Sequence, residues 1–76
     1  MNVIVYTTPT CPWCKVVKDY LKSNDVDYVE YDVSKDDKAA AEMISKSGQM
    51  GVPVIDLDGN IIVGFDQESI DRILGL

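Results

Sequence analysis

The sequence predicts an α/β domain with the element order βαβαββα, built as a four-stranded mixed sheet with helices on both faces. Three observations carry that prediction. An unbroken apolar run, Val3-Ile4-Val5-Tyr6, stands near the start, as in a strand buried on both faces. A helical stripe at Val16, Val17, Tyr20 and Leu21 follows and leads into a second strand-like segment, the pattern of a βαβ unit. Further on, Asp58-Gly59-Asn60 joins two short apolar segments, and Asp-Gly readily takes the positive φ angles of a tight hairpin.

The first strand is expected over residues 2–7, with Thr8-Pro9-Thr10 as a loop. A helix starts at Cys11-Pro12, because proline suits the first helical position, where its missing N–H is not needed. Lys15, Lys18, Asp19 and Lys22 face outward from it, and Ser23-Asn24-Asp25 ends it. Residues 28–33 read as the second strand. Ser34-x-x-Asp37 resembles a capping box, which opens a second helix with Ala40, Met43, Ile44 and Ser47 on its inner face. Gly48 is its C-terminal cap. Residues 53–57 and 61–64 form the hairpin strands. Asp66 caps a last helix that turns Ile70, Ile73 and Leu74 inward. The βαβ unit crosses over right-handed, so its strands are parallel, while the hairpin strands are antiparallel.

Seventy-six residues suffice for one domain, residues 1–76, with a thin core and room for little more than one cleft. The net charge is −6, with no clustered basic face. That argues against nucleic acid, whose phosphates need such a face, and against anionic membranes. No apolar run is long enough to span a bilayer. The first fourteen residues hold no Lys or Arg, so no signal-peptide start is read, and the expected compartment is the cytoplasm.

Cys11 and Cys14 are the only cysteines, and histidine is absent. A bridge across so short a loop hardly constrains the unfolded chain, so in a reducing compartment the pair points to chemistry. Cys11 falls at the helix N-cap, where the first N–H groups have no internal partner. Its sulfur is expected to accept from the N–H groups of Trp13 and Cys14, and with the helix dipole these favour the thiolate. Cys14 lies one turn on, on the same face, within reach of a disulfide. It is assigned as the resolving cysteine. Pro12 stiffens the turn, and Trp13 offers an apolar wall beside the sulfur. A structural zinc site wants four ligands, and two thiols do not supply them, so no metal is expected.

The acids carry plainer roles. Asp32-x-Ser34-x-Asp36 fails as a calcium loop, since Asp37 stands where Gly is needed and Met43 where Glu is needed. Lysines are read as solvated, with Lys15 and Lys46 available to an anionic ligand.

Taken together, these segments resemble the glutaredoxin family along the whole chain. Cys11-Pro12-Trp13-Cys14 is close to the family's Cys-Pro-Tyr-Cys, Ser47-Gly48 with Val52-Pro53 is similar to its approach to Thr-Val-Pro, and Gly64-Phe65-Asp66 to its Gly-x-Asp region. The resemblance implies a thioredoxin fold and thiol–disulfide exchange with glutathione as co-substrate and no tightly bound cofactor. It implies that Pro53 is a cis-proline facing the cysteines. It also implies a glutathione site from Thr10, Trp13, Val52, Pro53, Gly64, Phe65, Asp66 and Gln67. Backbone groups of Val52 would pair with the ligand like an added strand. The start of the last helix would take a carboxylate. Three departures stand out: Thr8 where many members have lysine, Gly51 for Thr, and Val63-Gly64 for a double glycine. Weaker glutathione binding than in a typical member is expected.

The expected partners are glutathione and disulfide-containing or glutathionylated proteins, met by a monomer. Cys11 attacks, and Cys14 resolves the mixed disulfide. Gly64-Phe65 also resembles the redoxin branch that feeds ribonucleotide reductase and is recharged by thioredoxin reductase, although that branch's motif lacks Pro12-Trp13. A third reading, an iron–sulfur cluster carrier bridging two chains through Cys11, is disfavoured by the stiff Pro12 turn.

Overall fold

The computed structural model describes residues 2–76. Strands β1 (Val3–Thr7), β2 (Val29–Asp32), β3 (Val54–Leu57) and β4 (Asn60–Val63) alternate with helices α1 (Pro12–Ser23), α2 (Asp37–Ser47) and α3 (Gln67–Leu74) in the expected order. The strands lie in the order β2-β1-β3-β4. β1 pairs with β2 in parallel and with β3 antiparallel, and β3 pairs with β4 antiparallel.

β1 is central, so its residues are needed on both faces, which is why its apolar run does not alternate. Val3 and Val5 join Ile55, Leu57 and Ile62 on one face, where Val17 and Leu21 of α1 and Ile70 of α3 pack on them. Tyr6 and Val54 face the other way, against Ala39 and Met43 of α2. Helices therefore cover both faces. No helix among the described residues is long and apolar enough to cross a membrane.

The local signals hold at most ends. Leu57 pairs with Asn60 across a two-residue turn, with φ of 55° at Asp58 and 96° at Gly59. That is the left-handed geometry the Asp-Gly pair favours. Gly48 caps α2 at φ 72°, and the Asp66 side chain caps α3 by accepting from the amide of Ser69 at 3.2 Å.

Three expectations are corrected. The cap of α2 is Asp36, whose carboxylate accepts from the amide of Ala39 at 3.0 Å. Ser34 instead donates its amide and hydroxyl to Asp32 in the preceding turn. The inner face of α2 is carried by Ala39 and Met43, while Ile44 is exposed. In α1, Val17 and Leu21 are buried and Val16 is not. Each apolar stripe is thus narrower than the sequence suggests, because each helix contacts a single sheet face. The first three strands are also slightly shorter than expected, with Asn2, Tyr28, Val33 and Pro53 outside them, and the fourth is shifted by one, taking in Asn60 from the expected turn and leaving out Gly64.

Candidate active site

The end of β1 and the start of α1 set the site. Thr8-Pro9-Thr10 turns the chain, and the amide of Cys11 donates to the carbonyl of Thr8 at 3.3 Å. Cys11 has extended backbone geometry and is the N-cap of α1. Its sulfur takes the role an oxygen has in an ordinary cap, accepting from the amide of Cys14 at 3.1 Å. The expected second bond, from the amide of Trp13, is not among the hydrogen bonds formed: the N-cap side chain reaches Cys14. The bond from Cys14 satisfies one of the N–H groups that have no partner within the helix.

The two thiols are free and unlike in setting. Cys11 is half-buried, while Cys14 is only 1% exposed. Burial, aided by the hydrogen bond with Cys11, pushes the Cys14 thiol up to about 12. Cys11 thus presents the accessible sulfur of the pair and Cys14 the enclosed one.

Two hollows take residues of the Cys11–Cys14 segment into their lining. One is a cleft of about 220 Å³ lined by Trp13, Val52, Pro53, Gly64 and Phe65. Five of the residues expected to hold glutathione thus share one surface. The Val52-Pro53 peptide is cis. The amide of Gly64 donates to the carbonyl of Pro53 at 2.8 Å, with Gly64 at φ 79°. That left-handed turn suits glycine and sets Phe65 beside the proline. The Phe65 ring stacks under Trp13, which is 60% exposed. Thr10, Asp66 and Gln67 do not line this cleft. Asp66 and Gln67 begin α3 directly after Phe65, and the Asp66 carboxylate is engaged by the Ser69 amide and hydroxyl. Those bonds hold its carboxyl below the usual range.

The other hollow, of about 470 Å³, has Cys11 in its wall together with Thr8, Lys15, Lys18 and Glu30. Sequence reasoning missed Lys18 and Glu30. The spacing from Cys14 to Lys18 was a usable signal, whereas Glu30 reaches this side only through the register of β1 with β2. Lys15 lies here as a cation open to a ligand. Lys46 does not serve the site: its ammonium donates to Asp56 and to the Tyr6 hydroxyl, both at 2.8 Å, beneath α2. Among the described residues no group of three or more His, Cys, Asp or Glu is placed to hold a metal ion.

Known proteins share this arrangement. The family profile described as Glutaredoxin matches residues 3–62. A glutaredoxin-like 8.6 kDa protein from the rubredoxin operon of Clostridium pasteurianum is 56% identical over 70 residues, covering 92% of this chain and 93% of that one. Glutaredoxin 3 of Escherichia coli is 38% identical over 65 residues, covering 86% and 78%. Among solved structures, the thioredoxin-like protein BC3987 superposes with a TM-score of 0.89 at 36% identity, covering 95% and 99%. The NrdH-redoxin of Escherichia coli, described as a glutaredoxin-like protein with a thioredoxin-like activity profile, gives 0.83 at 25% identity, covering 95% and 93%. With its cysteine pair at the head of α1, its cis-proline loop and these likenesses over nearly its full length, the chain has the thioredoxin fold and belongs to the glutaredoxin family.

Proposed function

We propose that this protein is a glutathione-dependent thiol–disulfide oxidoreductase that reduces protein disulfides and glutathione mixed disulfides through Cys11 and Cys14. One observation carries the reading: a half-buried sulfur caps α1, and a buried thiol stands one turn behind it. The Cys11 thiolate attacks one sulfur of the substrate disulfide. A Cys11–substrate bond forms, and the other substrate sulfur leaves as a thiolate that takes a proton. For a protein disulfide, Cys14 then attacks Cys11 and releases the second thiol. Two glutathione molecules reduce the resulting Cys11–Cys14 bond and leave as glutathione disulfide. For a glutathionylated protein, Cys11 carries the glutathione and a second glutathione removes it, without Cys14. The cleft of Trp13, Val52, Pro53, Gly64 and Phe65, which starts two residues from Cys11, supports glutathione as the ligand. The cytosol is the fitting compartment for such a dithiol, and a monomer suffices.

A second reading, a redoxin recharged by thioredoxin reductase, is favoured by Phe65. Its ring stacks beneath Trp13 and gives the cleft an aromatic wall. Thr8 in place of a lysine removes a cation that glutathione would use.

The test is to oxidise the protein and supply either glutathione with glutathione reductase and NADPH, or thioredoxin reductase with NADPH. Turnover with glutathione supports the first reading. Turnover with thioredoxin reductase alone replaces it with the second. Cys14→Ser keeps deglutathionylation and Cys11→Ser loses all activity. Activity retained in Cys11→Ser refutes the assignment of roles.

A further inference from the structure

Cys14 presents a problem that the cysteine motif does not solve. As the resolving nucleophile it must become a thiolate, yet it is buried and its thiol is pushed up to about 12. The chain has no histidine to take its proton. A compensating charge must come from elsewhere in the fold.

Beside the pair, a chain of three side chains joins β1, β2 and α1. The hydroxyl of Thr7, itself only 1% exposed, donates to Oε2 of Glu30 at 2.7 Å. The ammonium of Lys18 donates to the same oxygen at 2.9 Å. Lys18 stands one turn beyond Cys14 on the same helix face, and it lines the hollow that Cys11 opens into. The Glu30 carboxylate keeps the ammonium charged by raising its proton affinity, and Lys18 in turn holds Glu30 ionised. Tyr28 and Lys22 are the other titratable groups acting on this pair, and Cys11 is the other one acting on Cys14. A partly exposed ion pair adds little stability by itself. Its ammonium is nonetheless held in place, and after the backbone at Thr8, Lys18 is the group, and the one cation, that acts on Cys14 in the sense that favours its thiolate.

We propose that Lys18 is the electrostatic support of the resolving step, holding the developing Cys14 thiolate, and that Glu30 is a positioning residue that aims Lys18 and damps its charge. In that step the Cys14 thiol gives up its proton and its sulfur attacks Cys11. The Cys11–Cys14 bond forms, the Cys11–substrate bond breaks, and the departing sulfur takes up a proton. The inference rests on the dithiol reading above but not on which reductant recharges the pair.

The experiment uses the reduced full chain and the chromogenic disulfide dithiobis(nitrobenzoate). Attack by Cys11 releases a first nitrothiolate, and attack by Cys14 on the mixed disulfide releases a second, so stopped flow reads both steps with neither glutathione nor a reductase present. A failure of glutathione turnover would therefore not be confused with a failure of this inference. In Lys18→Met the ratio of second to first rate falls on the order of threefold to tenfold, since one pKa unit is a factor of ten in thiolate. In Glu30→Gln, where the amide oxygen still accepts but the negative charge is gone, the ratio rises. The pH midpoint of the second phase moves up in the first variant and down in the second. Opposite signs are the signature of a field acting on Cys14. A fall in both variants would mean the chain is only structural, and no change in either would mean Lys18 does not act on Cys14; both overturn the proposal.

Discussion

The ring of Phe65 lies 6.3 Å from the indole of Trp13, centroid to centroid, with the planes 19° apart. The same ring meets Tyr20 edge-on at 5.5 Å. Phe65 thus links the exposed wall of the cleft to the packed side of α1.

Removing that link is the first test. Phe65→Ala should raise the substrate KM several-fold while kcat falls less, because the cleft loses its floor and Cys11 is untouched. Trp13 is the only tryptophan, so its emission reports the change directly. A shift to longer wavelength is expected, with a stability loss of about 1–2 kcal/mol for a half-buried ring. An unmoved emission spectrum would sink the claim that Phe65 sets the indole.

The unequal thiols predict unequal alkylation. At pH 8 a thiol titrating near 12 is a thiolate in only about one molecule in ten thousand. Iodoacetamide should therefore modify Cys11 alone in the native reduced protein, and Cys14 only after urea unfolds it. Peptide mapping that finds native Cys14 labelled as fast as Cys11 would contradict the assignment of roles.

The Lys46–Asp56 pair predicts an acid-sensitive sheet. Burial works to raise the Asp56 carboxyl, but the Lys46 ammonium and the Gly59 amide outweigh it and hold the carboxyl below its ordinary value. The same pair, with the Tyr6 hydroxyl, holds Lys46 above its ordinary range. A carboxyl lowered in the folded state binds fewer protons than in the unfolded chain. Its contribution is thus present above about pH 4 and is lost as pH falls through the lower folded value. Urea unfolding should show wild type losing more stability between neutral and acid pH than Asp56→Asn. At neutral pH Lys46→Met should cost about 2–3 kcal/mol, since it leaves a largely buried carboxylate without its cation. Equal acid sensitivity in wild type and Asp56→Asn would exclude this pair as the cause.

The corrected cap of α2 can be tested by a pair of substitutions. Asp36→Ala should cost about 1 kcal/mol by thermal or urea unfolding, because the Ala39 amide loses its acceptor. Ser34→Ala should change little, since Ser34 only closes an exposed turn on Asp32. The reverse order would restore Ser34 as the cap.

The accuracy of the sequence reading followed the range of each interaction. Cys11 at the head of α1, Gly48 and Asp66 at helix ends, and the Asp58-Gly59 turn are set by contacts within three or four residues, so their signals survive in one dimension. The phase of α2 was misread by one position. Three successive alanines, Ala39 to Ala41, give the apolar stripe almost no contrast, and only contact with Tyr6 and Val54 selects Ala39 and Met43. The residues of the candidate site split the same way. Pro12, Trp13 and Cys14 followed from Cys11, while Lys18 and Glu30 were invisible as a pair.

By itself the sequence determined the element order, the place of Cys11 and Cys14 at the head of α1, and the hairpin, because period, caps and turn geometry are local properties of the backbone. Tertiary structure alone decided the strand order β2-β1-β3-β4 and the antiparallel seating of β1 on β3. It also decided the approach of Gly64-Phe65 to cis-Pro53 and the meeting of Lys18 with Glu30. Those contacts join residues far apart in the chain. Which partners meet depends on how two sheet faces and three helices bury their apolar surface together, and no single segment carries that information.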